Sequence, residues 1–294
     1  MTSTLQPEPG GVSHAPPAGG LAERIAFFGT MAALCLACWL ATAALSTPMA
    51  AMGGMTMPGG WSMSMMWMRM PGQTWTSATA AFMQMWLVMM AGMMLPVLAP
   101  MLWQQHRRQA GRRGWPRAWL TVVTGGGYFA VWAAVGLGIW MAGLPLAGLT
   151  MQHAGLARLV PFLSGVIVLL AGLAQFTRRK ARLLARCHAA SCHAQVTTTA
   201  AAWRQGLVHG WHCNLCCANL TLVLLVCGMM NWGVMLTVTA AIVLERWSTH
   251  TAPARGIGVL LLGAGLWLVV QAALPASAHS SSMWSVLRTK DCTA

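Results

Sequence analysis

Acidic side chains are nearly missing from this chain. Its 294 residues contain four Asp and Glu in all, and the charged types together make 7%, where soluble domains carry about 25%. A soluble globular enzyme of this length needs far more polar surface. The four acids, Glu8, Glu23, Glu245 and Asp291, are too few and too scattered to build a Ser-His-acid triad or a pair of catalytic carboxylates. A hydrolase is therefore disfavoured, and the reading is of a protein that is not an enzyme. Walker and phosphorylation motifs are also missing, so ATP-driven pumping is not encoded here. Gly and Pro, 31 and 14 in number, are scattered among apolar runs rather than massed, which excludes collagen and wholesale disorder.

What the chain has in quantity is apolar length. Of its residues 57% are hydrophobic, and seven apolar segments stand out at 22–46, 78–103, 118–142, 155–176, 206–228, 231–247 and 256–275. Most reach the ~20 residues that a helix needs to cross ~30 Å of hydrocarbon. The sixth is the shortest. The expected fold class is all-α, a polytopic transmembrane helix bundle of about seven spans, or six if the short segment stays partly interfacial. A polar, Gly/Pro-rich stretch precedes the long first segment, which reads as an uncleaved anchor rather than a signal peptide. The expected organisation is a disordered tail at 1–21, one membrane domain at 22–275 with an external linker at 47–76, and a polar tail at 276–294.

A net charge of +14 raises the question of nucleic acid. The Arg residues, however, fall in bursts between apolar stretches, the way topology signals are written. Arg107, Arg108, Arg112, Arg113 and Arg117 follow segment two; Arg178, Arg179, Lys180, Arg182, Arg186 and Arg204 follow segment four. Alternate linkers are almost bare. Seven spans put every burst on one side, the cytoplasm, with the amino terminus inside and the carboxy terminus outside. The partner implied is a lipid bilayer, with no nucleic acid; oligomeric state is not written in the sequence.

Of the 24 methionines, nine lie between Met49 and Met70 in the linker MAAMGGMTMPGGWSMSMMWMRM. Gly, Pro, Ser and Thr around them leave little regular structure in which to bury thioethers. Trp61, Trp67 and Trp75 offer the alternative of an interfacial segment, but aliphatic residues would serve that purpose equally well. Thioether sulfur is a soft ligand suited to Cu(I), and Met55, Met57, Met63, Met65 and Met66 are the candidates. Seven more Met line segment two, with Met83, Met90, Met94 and Met101 on one face and Met85, Met89 and Met93 on a second stripe. They serve either as packing or as ligands, with Met90 and Met94 the pair expected to complete a site on another helix.

That other helix is segment five, GLVHGWHCNLCCANLTLVLLVCG. At 100° per residue His209, Cys213 and Cys216 share a face, His212 and Cys227 lie within it, and Cys217 sits further round. Ionisable groups inside a span mark function. One helix seldom closes a tetrahedral zinc site, whereas low-coordinate sulfur sites suit Cu(I), so copper is the expected metal and zinc the second choice. Cys213 and Cys216 also have the CxxC spacing of a dithiol redox centre, although no thioredoxin-like context surrounds them. Cys35 and Cys38 repeat the spacing without a neighbouring His or acid and read as packing. In the linker ARCHAASCHAQ, Cys187, His188, Cys192 and His193 form a smaller cluster, either a metal site or incidental residues of a solvated loop. Glu245, beside Arg246, is either an end-of-helix ion pair at the surface or a ligand-orienting or proton-coupling carboxylate.

Segments two to seven resemble a bacterial family of predicted metal-binding integral membrane proteins, a domain of unknown function. The stretches that carry the likeness are MQMWLVMMAGMMLP, GYFAVW and GLVHGWHCNLCCANLTLVLLVCGMMNWGVMLTVTAAIVLER. The last is similar to the family's G-x-x-H-G-x-x-C-x-x-C-C, then G-x-M-N, a Met four residues on, and Glu before a basic residue. The resemblance implies His209, Cys213, Cys216, Cys217, Met230, Asn231, Met235 and Glu245 as its marked positions, together with metal binding and a membrane location. Trp211, His212 and the Ala218-Asn219 pair depart from the pattern. The expectation is a multi-pass protein of the bacterial cytoplasmic membrane that handles Cu(I). It would move the ion across or deliver it to a periplasmic cuproprotein or copper chaperone. The alternatives are a membrane thiol-disulfide oxidoreductase and a structural or assembly subunit.

Overall fold

The computed structural model describes residues 19–51, 55–58, 61–63, 67, 72–108, 115–190, 198–229, 231–248, 250 and 252–274. Helix α1 spans Gly19–Ala51. A two-strand ribbon follows, β1 at Met55–Thr56 and β2 at Ser62–Met63. Then come α2 (Trp75–Arg108), α3 (Trp115–Gln152), α4 (Ala154–Gln175), α5 (Arg178–Ala190), α6 (Thr199–Cys227), α7 (Trp232–Trp247) and α8 (Ala252–Ala273). The fold is an all-α polytopic bundle. Among the described residues six helices are long and apolar enough to cross a membrane, namely α1, α2, α3, α4, α6 and α8. The sixth apolar segment is α7, whose 16 residues extend ~24 Å at 1.5 Å per residue, short of the ~30 Å of a hydrocarbon core. The tails 1–18 and 275–294 lie outside the described residues.

Lipid offers helices no hydrophobic reason to associate, so close backbone approach and dispersion must do it. Glycines supply the approach. A Cβ on Gly206 of α6 would run into the carbonyl of Thr124, one on Gly210 into that of Tyr128, and one on Gly127 of α3 into that of Trp203. The α3 stretch Thr124–Tyr128 and the α6 stretch Trp203–Gly210 are thereby pressed backbone to backbone. A second seam joins α4 to α8, where Gly165 and Gly172 face Gly265 and Gly258 at matching two-turn intervals. Helix α2 is buried along most of its length and forms the centre, packed between α1 and α3.

Two prolines expose carbonyls that would otherwise be spent inside their helices. Pro96 has no N–H for Gly92, and the thiol of Cys35 on α1 donates to that oxygen instead, at 3.2 Å. Pro161 leaves Ala157 unclaimed, and Trp61 Nε1 donates to it at 2.8 Å. The first bond gives Cys35 a packing role; the second pins the methionine-rich linker onto α4. That linker is more regular than its composition suggests. Met55 pairs with Met63 in antiparallel register, Met57 N–H donates to Trp61 O at 2.9 Å, and Met57 and Met63 are buried against Ala147 under Trp61 and Trp67. Trp67 continues inward, stacking on Trp140 and meeting Phe82 at a tilt of 42°. Trp75 is exposed, whereas Trp61 and Trp67 are half-buried against protein.

Candidate metal centre

The methionine stripes of α2 both turn inward. Met85, Met89, Met90, Met93 and Met94 are buried, with Met90 and Met94 at 0% exposure, and Met101 joins them in one continuous core. Trp86, held by its indole N–H to Trp132 O at 2.9 Å, occupies the groove that Gly136 leaves open. The same core contains Cys213, Cys216 and Cys217 of α6, Cys187 of α5, Met229, and Met235 of α7. Thioethers and thiols thus share one buried volume across four helices.

The glycine seam decides where the thiols stand. Pressing α3 onto α6 brings Tyr128, the single tyrosine of the chain, to Cys213, with its hydroxyl donating to Sγ at 3.1 Å. Cys213 Sγ lies 4.0 Å from Cys217 Sγ. The wheel placed Cys217 at the edge of the face, but it is buried and is the nearest thiol to Cys213, because residues four apart stack along a helix. Two sulfurs bonded to one ion at ~2.3 Å stand up to ~4.6 Å apart, so this pair needs little movement to hold a two-coordinate soft cation. Tetrahedral zinc asks for more. Among the described residues no group of three His, Cys, Asp or Glu side chains is arranged to hold a metal.

Basic groups face the thiols. Arg246 of α7 acts electrostatically on Cys213, Cys187, Cys217 and Cys216, which suits a site whose ligands carry negative charge when metallated. Glu245 is not a surface residue. It is buried, its Oε2 pairs with Lys180 Nζ at 2.7 Å and its Oε1 accepts from Gln175 Nε2 at 2.7 Å. Lys180 also donates to Cys216 O at 2.7 Å and to Asn219 Oδ1 at 3.4 Å. Thus α7, running back along α6, comes level with Cys216 at its end. Lys180, Gln175 and Tyr128 were not singled out from the sequence. Lys180 hides among arginines, and the lone tyrosine was the signal passed over.

Lys180 belongs to α5, where the sequence suggested a solvated basic loop. The segment is instead an amphipathic helix. Lys180, Leu184 and Cys187 are buried at i, i+4 and i+7, while Arg178, Arg179, Arg182 and Arg186 are exposed. Cys187 therefore joins the α6 thiols rather than a separate linker cluster. Its Sγ donates to His212 O at 3.5 Å. The hydrogen bond it shares with Cys216, and then burial, push its thiol above the ordinary range. The side chain of His188 and all of Cys192 and His193 lie outside the described residues, as do Met65, Met66 and Met230; of Met55 the backbone alone is described.

The two histidines differ. His209 has both ring nitrogens buried with no protein hydrogen bond, one turn before Cys213, where an imidazole is free to ligate. His212 bonds through Nδ1 to Val208 O at 2.7 Å, which ties its ring to its own helix. Cys227 packs with Val168, Ala171 and Val223 against α4, more than two turns beyond Cys217, and Cys38 packs near Gly92. Neither joins the centre.

The chain is thus a bundle with helices long enough to cross a membrane, and its core gathers thioethers and thiols. The chain belongs to the PpoB2 family, described as copper chaperone, whose model matches residues 83–268, from Met83 on α2 to Leu268 on α8. No curated protein and no solved structure matches it. Copper is accordingly the metal with which the family is concerned.

Proposed function

We propose that this protein handles monovalent copper at the bacterial cytoplasmic membrane, with its amino terminus in the cytoplasm and its methionine hairpin outside. The ion is its cargo rather than a catalytic cofactor. The hairpin thioethers capture it, the α2 methionines line its passage, and Cys213 and Cys217 hold it in the bundle. His209, Cys216 and Cys187 are the further donors at hand. The observation that carries this reading is the single buried core in which Met90 and Met94 join Cys213, Cys216 and Cys217, with Arg246 electrostatically placed to offset thiolate charge. Thioether and thiolate are the ligand types that select Cu(I). Exchange between successive low-coordinate sites spares a bare cation from hydrocarbon. The ion then crosses the membrane or passes to a periplasmic cuproprotein or copper chaperone.

The test is copper content. Reduced, anaerobic protein is loaded with Cu(I) under a competing chelator, alongside Cys213/Cys216/Cys217→Ser and a variant lacking residues 49–70. The triple variant is expected to lose tightly held copper, and the deletion to lose weaker equivalents while keeping the tight ones. Wild-type protein that holds no copper against the chelator would overturn the reading. Reversible dithiol–disulfide cycling of its thiols would then favour an oxidoreductase.

A further inference from the structure

The converging thiols come as two pairs, and the second is not contained in the α6 motif. Cys213 and Cys217 form the first pair on one helix, 4.0 Å apart. The second is built across helices. Cys187 of α5 reaches the carbonyl of His212 at 3.5 Å, and within a helix that carbonyl points toward residue 216. Cys187 and Cys216 therefore stand side by side, in the same core as the first pair. Cys217 neighbours both Cys213 and Cys216, so the pairs share an edge.

The α5 helix is positioned for this. Its buried face is fixed to α6 and α7 by Lys180, which bonds Cys216 O, Asn219 and Glu245. Leu184 continues that face into the core, and Cys187 ends it. The opposite face presents Arg178, Arg179, Arg182 and Arg186.

We propose that Cys187 and Cys216 form a second Cu(I) position, supplied from α5, onto which the ion moves from Cys213 and Cys217. This rests on the α6 thiols being copper ligands. The transfer is associative. Cys216 bonds to the ion and Cys213 lets go; Cys187 then bonds and Cys217 lets go. Copper keeps two sulfurs throughout and stays monovalent. Each incoming thiol gives up a proton and each departing sulfur takes one back, so the step needs neither oxidant nor reductant.

The experiment uses the full chain with Met55, Met57, Met63, Met65 and Met66 changed to Leu, so that copper on these hairpin thioethers is not counted. Cu(I) retained against a competing chelator is measured, and then its withdrawal rate by glutathione. The parent is expected to keep two equivalents. Cys187→Ser and Cys187→Ala are expected to keep one, released at least tenfold more slowly because the exchange partner is gone. Two outcomes overturn the proposal. In one, both Cys187 variants match the parent in stoichiometry and rate. In the other, they lose all copper while retaining helix content and thermal stability, which makes the four thiols one shared centre. If Cys213/Cys216/Cys217→Ser keeps the parent's copper, the underlying reading of α6 fails instead, whatever Cys187 does.

Discussion

The methionine hairpin and the α6 thiols both gather sulfur, but in different surroundings. Among the described residues, the apolar neighbours of the buried Met57 and Met63 are Ala147, Trp61 and Trp67. Around Cys213, Cys216 and Cys217 stand Arg246 and, through the Cys216 carbonyl, the Lys180–Glu245 pair. The difference follows from the ligands. A thioether binds a soft cation without losing a proton and gains no charge of its own. A thiol must become a thiolate, and an anion within a span needs compensation. A thioether site can therefore be assembled from a short ribbon and a few indoles. A thiolate site needs helices fixed tightly enough to hold cations in place.

This contrast can be broken from the inner side first. Glu245→Gln leaves Lys180 buried without its counter-charge, and removing one partner of a buried pair costs about 3–5 kcal/mol. Thermal unfolding in detergent is expected to show that loss, with Cys187 gaining reactivity toward a maleimide as α5 loosens. Unchanged stability would mean that the pair is not what fixes α5.

Next is the α3–α6 seam. Gly206→Ala drives a methyl into the Thr124 carbonyl, an overpacking worth about 1–3 kcal/mol. Separating the helices also draws Tyr128 from Cys213, so weaker copper retention by the inner site is expected alongside the lower stability. Retention equal to wild type would show that the site tolerates movement of the helix facing it.

The smallest effect belongs to the hairpin. Trp61→Phe removes the bond to Ala157 O, worth about 1 kcal/mol. Isothermal titration should show weaker capture by the thioethers and no change in the chelator-resistant copper. A change in the latter would join the two regions energetically and end the contrast.

The helices were legible in the sequence because a hydrophobic run long enough to cross lipid has few other uses. The inward α2 methionines and the α6 cysteine face were legible as well, since a 100° step needs no tertiary information. Finer pairings were not. Adjacent residues on a helix point 100° apart, so Glu245 and Arg246 serve different neighbours, the one Lys180 and Gln175, the other the thiols. Cys187 looked like part of a loop because Arg178, Arg179, Arg182 and Arg186 dominate its segment. The three buried residues between them become a face only once the segment is wound. The hairpin was obscured by its Gly and Pro content, although Pro161 announced an open carbonyl at Ala157 for something to fill.

The two glycine seams also have a mechanical consequence. Where backbones touch with no side chain between them, helices have no cushion on which to slide, and α3–α6 and α4–α8 behave as two stiff ribs. Compliance is left to the joints, namely the turn at Gly228, whose φ of +102° suits glycine, and the corner at Phe176–Thr177 between α4 and α5. Helices α5 and α7, which hang from those joints and cover the α6 thiols, share no such glycine seam among the described residues.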